Sequence, residues 1–227
     1  HVVTTSMEHN AVTRCLYYLQ DIDVKTTKVK CSDKGELDPQ DMVRSITPQT
    51  RLIILTHASN VTGTIMPVEE IGRIARKRDI PFMLDAAQTA GILPVDVEKM
   101  RIDLLAFTGH KGLFGPAGTG GLYIREGIDI KPFKHGGTGN YSDLDTLPEV
   151  LPDKYEAGTP NLPGIAGLGA GIDFGMKEGI SKILKHDQVL TKQFLEGIIK
   201  VNPDKIKVYG PKEPDKQVGV ISLNISG

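Results

Sequence analysis

The sequence is poor in three features that would assign it to a special class of protein. Only two of its 227 residues are cysteines, Cys15 and Cys31, which excludes a disulfide-stapled scaffold and favours a reducing, cytoplasmic setting. Its 27 basic and 28 acidic residues nearly cancel, so no charge excess points to nucleic acid or to an anionic membrane as the main partner. No apolar run approaches the roughly 20 residues that cross a bilayer, so no transmembrane segment is predicted.

Sequence motifs for metal and nucleotide binding are missing as well. The patterns CxxC and HExxH do not occur, and neither do the glycine-rich patterns GxGxxG and GxxxxGK[ST]. The glycine-rich stretch from Gly136 to Tyr141 fits neither of the last two. The sequence therefore predicts no metal site and no nucleotide binding through those motifs.

Apolar and polar residues in the middle of the chain follow the order strand, helix, strand. Short, almost continuous apolar runs predict strands that are buried on both faces. Helices are expected where Asp38 can cap the first turn and where Pro67 precedes an apolar stripe at helical spacing. The predicted elements are a helix over Pro39–Ile46, a strand over Arg51–His57, a helix from Pro67, and strands over Pro81–Asp85 and Ile102–Phe107. This order predicts an α/β fold with a mostly parallel sheet and helices on both faces.

Polar side chains follow each of the three predicted strands. In open parallel sheets, ligands bind beyond the carboxyl ends of the strands, so these residues are candidates for a functional site. Capping or turn formation explains each of them alone, but together they bring a carboxylate, a lysine, amides and histidines to one edge of the sheet. They are His57, Ser59 and Asn60 after the first strand, Asp85 and Gln88 after the second, and Thr108, His110 and Lys111 after the third.

Five segments of the sequence resemble, in order and spacing, the class V aminotransferase family of pyridoxal phosphate enzymes. They are Glu8–Val12, His57–Gly63, Asp85–Gln88, Thr108–Pro116 and Glu156–Asn161. The likeness is strongest to the branch of cysteine desulfurases and selenocysteine lyases. It implies a fold-type I large domain whose mostly parallel sheet has one antiparallel strand near Gly121–Arg125. Helices are expected from Gly164 to Lys200, and they lead toward a small domain.

The resemblance implies catalytic roles for three residues. Lys111 matches the lysine that bonds to the aldehyde of pyridoxal 5′-phosphate, and the neighbouring His110 suits the neutral amine that this bond requires. Asp85 matches the carboxylate that keeps the pyridine nitrogen protonated, which the ring needs in order to accept electrons. His9 matches the histidine that stacks on the ring and moves protons. Helix capping remains an alternative for Asp85 and for His9.

Further contacts to the cofactor are implied by the same resemblance. Gln88 and Asn60 match side chains near the phenolic oxygen of pyridoxal phosphate. Thr108 and His110 match contacts to the phosphate and to the surroundings of the lysine. Thr159 matches a residue that reaches the phosphate in the partner subunit, which implies a homodimer. An ordinary place in a loop is an equal alternative for Thr159.

The two ends of the chain lead us to expect a piece of a longer protein. The chain starts at His1 on a strand-like run and stops two residues after another, Val218–Ile225. The expected division is a cofactor-binding large domain over 1–200, without its first part, and the beginning of a small carboxyl-terminal domain over 201–227. The family's phosphate-binding turn, substrate arginine and sulfur-accepting cysteine are expected outside this chain, and Cys15 and Cys31 are interpreted as inert thiols.

The function implied by the resemblance is the release of sulfur from cysteine, or of selenium from selenocysteine, with alanine as the other product. A small amino acid would be the substrate, and a sulfur-acceptor protein is a candidate partner. The isolated chain is expected to bind the cofactor weakly and to be inactive. An aminotransferase or epimerase of the same superfamily is the first alternative, because fold and cofactor do not fix the reaction. A non-catalytic binding or scaffold protein is the second alternative, although such a protein needs none of the four residues Lys111, Asp85, His9 and Gln88.

Overall fold

A computed structural model describes residues 1–201 and 205–226 of the chain. A six-stranded sheet forms its centre, followed by two long helices and a two-stranded sheet. The strands are β1 (Val2–Thr5), β2 (Thr26–Val29), β3 (Leu52–Thr56), β4 (Phe82–Asp85), β5 (Leu104–Thr108), β6 (Gly120–Ile124), β7 (Ile206–Tyr209) and β8 (Ser222–Ile225). The helices are α1 (Asn10–Leu19), α2 (Pro39–Ser45), α3 (Val68–Lys77), α4 (Leu162–Glu178) and α5 (Ile180–Val201). Within the described ranges, none of these helices has the length and apolar character that would let it cross a membrane.

Local sequence signals explain where the helices begin. The Asp38 side chain accepts a hydrogen bond from the backbone of Gln40 at 2.8 Å, which caps α2 as predicted. Pro67 stands at the N-cap of α3, whose first turn is acidic and whose last turn is basic. The three strands predicted in the middle of the chain are confirmed within two residues at each end, with β5 beginning at Leu104 rather than Ile102.

The central sheet has the strand order β2-β1-β3-β4-β5-β6. All neighbouring strands are parallel except β5 and β6, which confirms the predicted antiparallel strand near Gly121–Arg125. Strand β1 has β2 on one side and β3 on the other. The chain passes from β1 to β2 first and reaches β3 later. The strand order therefore reverses beside β1, and a crevice is expected at the carboxyl ends of β1 and β3.

Helices cover both faces of this sheet, as predicted. Alternate residues of one strand point to opposite faces, and β3 shows the consequence directly. Ile53 packs in a large core with Met42 of α2 and Ile71 of α3. Its neighbour Ile54 packs in a second core with Leu16 of α1. Helices α2 and α3 therefore lie on one face and α1 lies on the other.

The carboxyl-terminal part agrees with its prediction in the helices and differs in one strand. The expected helical region Gly164–Lys200 forms α4 and α5, which are separated at Gly179, where φ is +86°. The expected strand Val218–Ile225 is regular only from Ser222, because Val218 donates its backbone N–H to Gly63 instead of joining a ladder. The division into domains 1–200 and 201–227 stays a prediction, and residues 202–204 and 227 lie outside the described part.

Candidate active site

A cavity of about 320 Å³ opens at the carboxyl ends of the central strands, on the face covered by α1. Its polar lining consists of six of the eight site residues that the sequence predicts. These six are His9, Asn60, Asp85, Gln88, Thr108 and Lys111, with Thr56 beside them. They come from the ends of four strands, so the parallel sheet is what brings residues about 100 positions apart in the sequence to one place.

Asp85 ends β4 and lies in register with Thr56 of β3. One of its carboxylate oxygens accepts a hydrogen bond from the backbone N–H of Ala87 at 2.9 Å. Residues 87–92 form turns and not a helix, so this bond closes a turn and the helix-capping alternative for Asp85 is wrong. In residues 1–201 and 205–226, no donor reaches the other carboxylate oxygen. Because Asp85 lines the cavity, that oxygen is available to a group bound there.

Lys111 lies in the turn between β5 and β6, and this turn packs tightly on the turn that follows β4. A Cβ on Gly112 would lie 2.6 Å from the carbonyl oxygen of Ala90, and one on Gly91 would lie 2.2 Å from the carbonyl oxygen of Gly112. Only glycine permits such an approach of backbone to backbone. The contact holds Lys111 beside the turn that follows Asp85. Within the described residues Lys111 takes part in no ion pair.

His9 precedes α1 and caps it. Its Nδ1 accepts a hydrogen bond from the backbone N–H of Ala11 at 3.1 Å. A neutral imidazole whose Nδ1 accepts must carry its proton on Nε2. The ring is exposed and lines the cavity, so the capping bond fixes its tautomer and leaves Nε2 as the group that can donate.

Three neutral polar side chains complete the lining. Asn60 lies in a turn in which the hydroxyl of Ser59 accepts from the backbones of Val61 and Thr62, each at 3.2 Å. Gln88 lies three residues after Asp85, in the turn that follows β4. The hydroxyl of Thr108 lies 3.4 Å from the carbonyl oxygen of Ala87, which is a weak contact that leaves it free to turn toward a ligand.

The structure does not bring His110 and Thr159 into this cavity. His110 is exposed next to Lys111 but is absent from the residues that line the described cavity. Thr159 is exposed between Gly158 and Pro160 in the loop before α4. That loop is tied down by Gly158, whose backbone N–H donates to Gly137 at 2.7 Å.

The apolar part of the lining was not predicted from the sequence. It includes Val12 of α1, Met83 of β4, Phe107 of β5 and the alanines 58, 87 and 106. Met83 could have been found from the period of two in a strand, because it lies two residues before Asp85 and points to the same face. The alanines give the cavity its room, and no feature of an isolated alanine in a sequence signals such a role.

Two buried titratable groups lie near the cavity, and for one of them, Glu8, the sequence predicted no role. Glu8 is 8% exposed, one of its oxygens accepts from the hydroxyl of Thr5 at 2.7 Å, and the other has no partner among the described residues. Burial raises the pKa of Glu8 to about 7, and the charge of Asp85 adds to the rise. His57 is 4% exposed, and burial lowers its pKa to about 4. The expectation that His57 joins the polar edge is wrong, because Thr56 and Ala58 line the cavity and the pleat turns His57 away from it.

Neither cysteine lines the cavity. Cys15 is exposed on α1, whereas Cys31 is buried beyond β2. Burial raises the pKa of the Cys31 thiol, so this thiol is a poor nucleophile near neutral pH, in agreement with its interpretation as inert.

Known proteins resemble this chain in sequence and in structure. The sequence profile of the family described as "Aminotransferase class-V" matches residues 1–227. A probable cysteine desulfurase from Pyrococcus abyssi is 38% identical over 229 residues, which cover 99% of this chain and 56% of that protein. The apo structure of a cysteine desulfurase from Thermococcus onnurineus superposes with a TM-score of 0.84 at 34% identity, covering 100% of this chain and 57% of the other. A structure described as SspA in complex with cysteine gives a TM-score of 0.77 at 28% identity, covering 100% and 58%. The chain therefore spans about half the length of these relatives.

Proposed function

The chain belongs to the class V aminotransferase family, and from that premise we propose that it provides the cofactor site of a pyridoxal phosphate-dependent cysteine desulfurase. One observation carries the proposal. A single cavity contains the amine of Lys111, which has no ion-pair partner in the described part of the chain, and the carboxylate of Asp85, one oxygen of which no described donor reaches. These are the two groups that such a cofactor requires. The named relatives support sulfur release from cysteine as the reaction.

The residues of the cavity fit pyridoxal phosphate. A volume of about 320 Å³ lies within the range of small-molecule sites. The unpartnered oxygen of Asp85 needs a donor, and a protonated pyridine nitrogen is such a donor. Alanines 58, 87 and 106 leave room for a flat ring, and Met83 and Phe107 supply an apolar lining. Donors for a phosphate are Thr108 in the cavity and, in our proposal, His110 beside it.

When bound, pyridoxal phosphate supplies an aldehyde that bonds amino groups and a protonated ring that accepts electrons. Lys111 would provide the amine that holds the aldehyde, and the same amine could accept and return a proton at a substrate carbon beside it. Asp85 would hold a proton at the ring nitrogen with the carboxylate oxygen that no described donor reaches. His9 would donate a hydrogen bond from its Nε2–H toward the bound group, because its Nδ1 accepts the N–H of Ala11, and it could take up a further proton only with that capping bond released.

The other proposed contacts orient the ring. Gln88 and Asn60 are placed by two different strand ends and can both donate an amide N–H toward the phenolic oxygen. Thr159 is outside the cavity, and we propose that it serves the phosphate site of a partner subunit in a homodimer. Its exposed position in the loop before α4 is compatible with that role.

The proposed substrate is cysteine, and the proposed products are alanine and a sulfur atom that passes to an acceptor thiol. The SspA structure was determined with cysteine, which supports an amino acid as the ligand of this fold. Neither Cys15 nor Cys31 lines the cavity, so neither is the acceptor in our proposal. A sulfur-acceptor protein and a cytoplasmic setting belong to the same proposal.

Reductive trapping tests the site. The chain is incubated with millimolar pyridoxal phosphate, reduced with borohydride and digested, and the modified lysine is identified by mass spectrometry. We expect the pyridoxyl group on Lys111, and Lys111→Ala should abolish the trapping while leaving the circular dichroism unchanged, because an exposed lysine makes little core contact. Lys131→Ala, which removes another exposed lysine, is the matched control and should trap normally. Labelling spread evenly over the lysines would contradict the proposed site.

Product analysis separates desulfuration from the alternatives. A cysteine desulfurase forms alanine and protein-bound sulfur from cysteine, whereas an aminotransferase forms a keto acid and transfers the amino group to a second substrate. An epimerase would return cysteine of inverted configuration. Trapping at Lys111 without any of these products would favour a binding protein.

A further inference from the structure

Residues 216–222, called here the crossing segment, lie across the turn that holds Asn60. This turn, residues 59–64, leaves β3 and returns antiparallel to itself, with Ser59 donating its N–H to Thr64 at 3.0 Å. Thr64 forms an isolated bridge with Gln217 of the crossing segment. The crossing segment lies in the connection from β7 to β8. A part of the chain that is distant in sequence therefore lies directly on the turn that holds Asn60.

Three hydrogen bonds join the crossing segment to the turn, on both sides of its tip. Ile65 donates its backbone N–H to Lys216 at 3.0 Å. Val218 donates its backbone N–H to Gly63 at 2.9 Å. The hydroxyl of Ser222 donates to the carbonyl oxygen of Val61, the residue after Asn60, at 2.5 Å.

The two backbones are packed without spare room. Gly63 has a φ of +72°, and a Cβ there would lie 2.5 Å from the carbonyl oxygen of Val220. Gly210, directly after β7, has a φ of +97°, and a Cβ there would lie 2.6 Å from the carbonyl oxygen of Thr62. Both glycines therefore satisfy a positive φ and a close approach at once. A shift of the crossing segment must move the turn with it.

The crossing segment is itself fixed to the rest of the chain. Gln217 is 2% exposed, and its side-chain oxygen accepts from the backbone of Lys212 at 3.1 Å. Gly219 donates its N–H to Asp187 of α5 at 2.8 Å. Val218 packs in a small core with Ala58, which lines the cavity. The position of Asn60 is thus tied to α5 and to the β7–β8 pair.

We propose that the crossing segment is a positioning element for Asn60, in which Ser222 fixes the carbonyl after Asn60 and thereby the direction of the Asn60 side chain. Movement of β7 and β8 is then transmitted to the cavity through backbone contacts. The identity of the bound ligand rests on the proposed function. The placement of Asn60 does not, and it can be measured in the chain without any ligand.

The first test uses Ser222→Ala, with Ser222→Thr as the conservative variant. The matched control is Ser226→Ala, at an exposed serine just beyond the other end of β8. Nuclear magnetic resonance follows the side-chain amide of Asn60 and the hydrogen exchange of the Val61 and Thr62 amides. Ser222→Ala should shift the Asn60 signal and speed the exchange of both amides about fivefold, the factor of one ordinary hydrogen bond. Ser222→Thr, which keeps the hydroxyl, should restore both readouts.

Unchanged signals in Ser222→Ala, or equal changes in Ser226→Ala, would overturn the proposal. The second test reverses the direction. Pyridoxal phosphate at a concentration that gives full trapping at Lys111 should slow exchange of the Val218 amide severalfold, because linkage is reciprocal. An unchanged Val218 amide under full trapping would also overturn the proposal. Failure of trapping would instead refute the proposed function and leave the first test to decide the role of the crossing segment.

Discussion

Two aspartates at opposite ends of the central sheet have opposite surroundings. Asp103 precedes β5 and accepts from the backbone of Phe82 at 2.8 Å, from Arg125 at 2.5 Å and from Arg76 at 3.3 Å. Asp85 ends β4 and accepts only from the backbone of Ala87 among the described residues. The carboxylate of Asp103 is satisfied by the protein, whereas half of the carboxylate of Asp85 is left for another molecule.

We interpret this difference as one between a residue that stabilises the fold and a residue whose proposed role is to bind. A carboxylate that is saturated with donors stabilises the fold, and its removal leaves those donors unpaired. A carboxylate with an open oxygen in a cavity contributes less to the fold and is free to bind. The two ends of the sheet should therefore respond in opposite ways to the loss of their aspartate.

The largest effect is expected from Asp85→Asn. The amide keeps the acceptor for the Ala87 N–H but no longer provides the negative charge that keeps a ring nitrogen protonated. In the longer protein of which this chain is expected to be a piece, alanine formation from cysteine should fall about 10³-fold, or about 4 kcal/mol in the barrier. The free energy of unfolding should stay within about 0.5 kcal/mol. Steady-state kinetics and urea unfolding measure the two quantities.

Asp173→Asn on the exposed side of α4 is the matched control and should change neither quantity. If Asp85→Asn kept the rate of alanine formation, or lowered the free energy of unfolding instead, Asp85 would be a stabilising residue like Asp103.

The second prediction concerns Glu8, which is buried like Asp103 but, like Asp85, has one carboxylate oxygen without a partner among the described residues. Burial raises its pKa from 4.5 to about 7, so between these pH values the folded state holds a proton that the unfolded state has released. Its contribution to stability is complete below about pH 4.5 and is lost as pH rises through 7. From pH 5 to pH 8 the chain should lose about 2–3 kcal/mol of unfolding free energy relative to Glu8→Gln, which cannot ionise.

Comparing the unaltered chain with Glu8→Gln separates the pH dependence of stability that is due to Glu8 from that of other groups. The pKa of His57, lowered by burial to about 4, reduces stability as pH falls below 6.5, and this happens equally in both. Glu36→Gln, at an exposed glutamate, should run parallel to the unaltered chain. Parallel curves for Glu8→Gln as well would mean that Glu8 is ionised in the folded protein at neutral pH.

Much of the fold could be predicted because local signals determine it. The apolar runs of β3 and β4, the Asp38 cap and the acid-to-base gradient of α3 are all visible in a few neighbouring residues. The pairing of Val218 with Gly63 was not predictable, because it depends on which backbone lies nearby across 155 positions of sequence. The alternating pattern of 218–225 suits a strand, and only its surroundings decide that its first half crosses a turn.

The polar half of the candidate site was predictable for a related reason. In a parallel sheet the strand ends meet, so Asn60, Asp85 and Lys111 could be grouped before their positions were known. The orientation of His57 could not be assigned in this way, because it requires knowing where β3 ends and its pleat continues. The ion pairs of Asp103 were likewise hidden, since Arg76 and Arg125 are 27 and 22 positions away.

The third and smallest predicted effect is that of replacing Asp103, and it is an effect on stability and not on activity. Asp103→Ala removes the acceptor of the buried Phe82 N–H at the start of β4, and an unpaired buried donor is costly. The two arginines keep 46% and 38% of their side chains exposed, so water can replace much of their ion pairing. The expected loss is about 2 kcal/mol of unfolding free energy.

Asp103→Asn keeps an oxygen for the Phe82 N–H and should recover about half of this loss, which separates the backbone hydrogen bond from the ion pairs. Urea unfolding of both variants measures the difference, with Asp173→Ala as the control. Trapping of pyridoxal phosphate at Lys111 should proceed normally in both, because Asp103 lies about 10 Å along the chain from Ala106, the first residue of β5 that lines the cavity, at about 3.3 Å per residue. If either variant lost trapping while it remained folded, the two ends of the sheet would not be independent, and the contrast between Asp85 and Asp103 would fail.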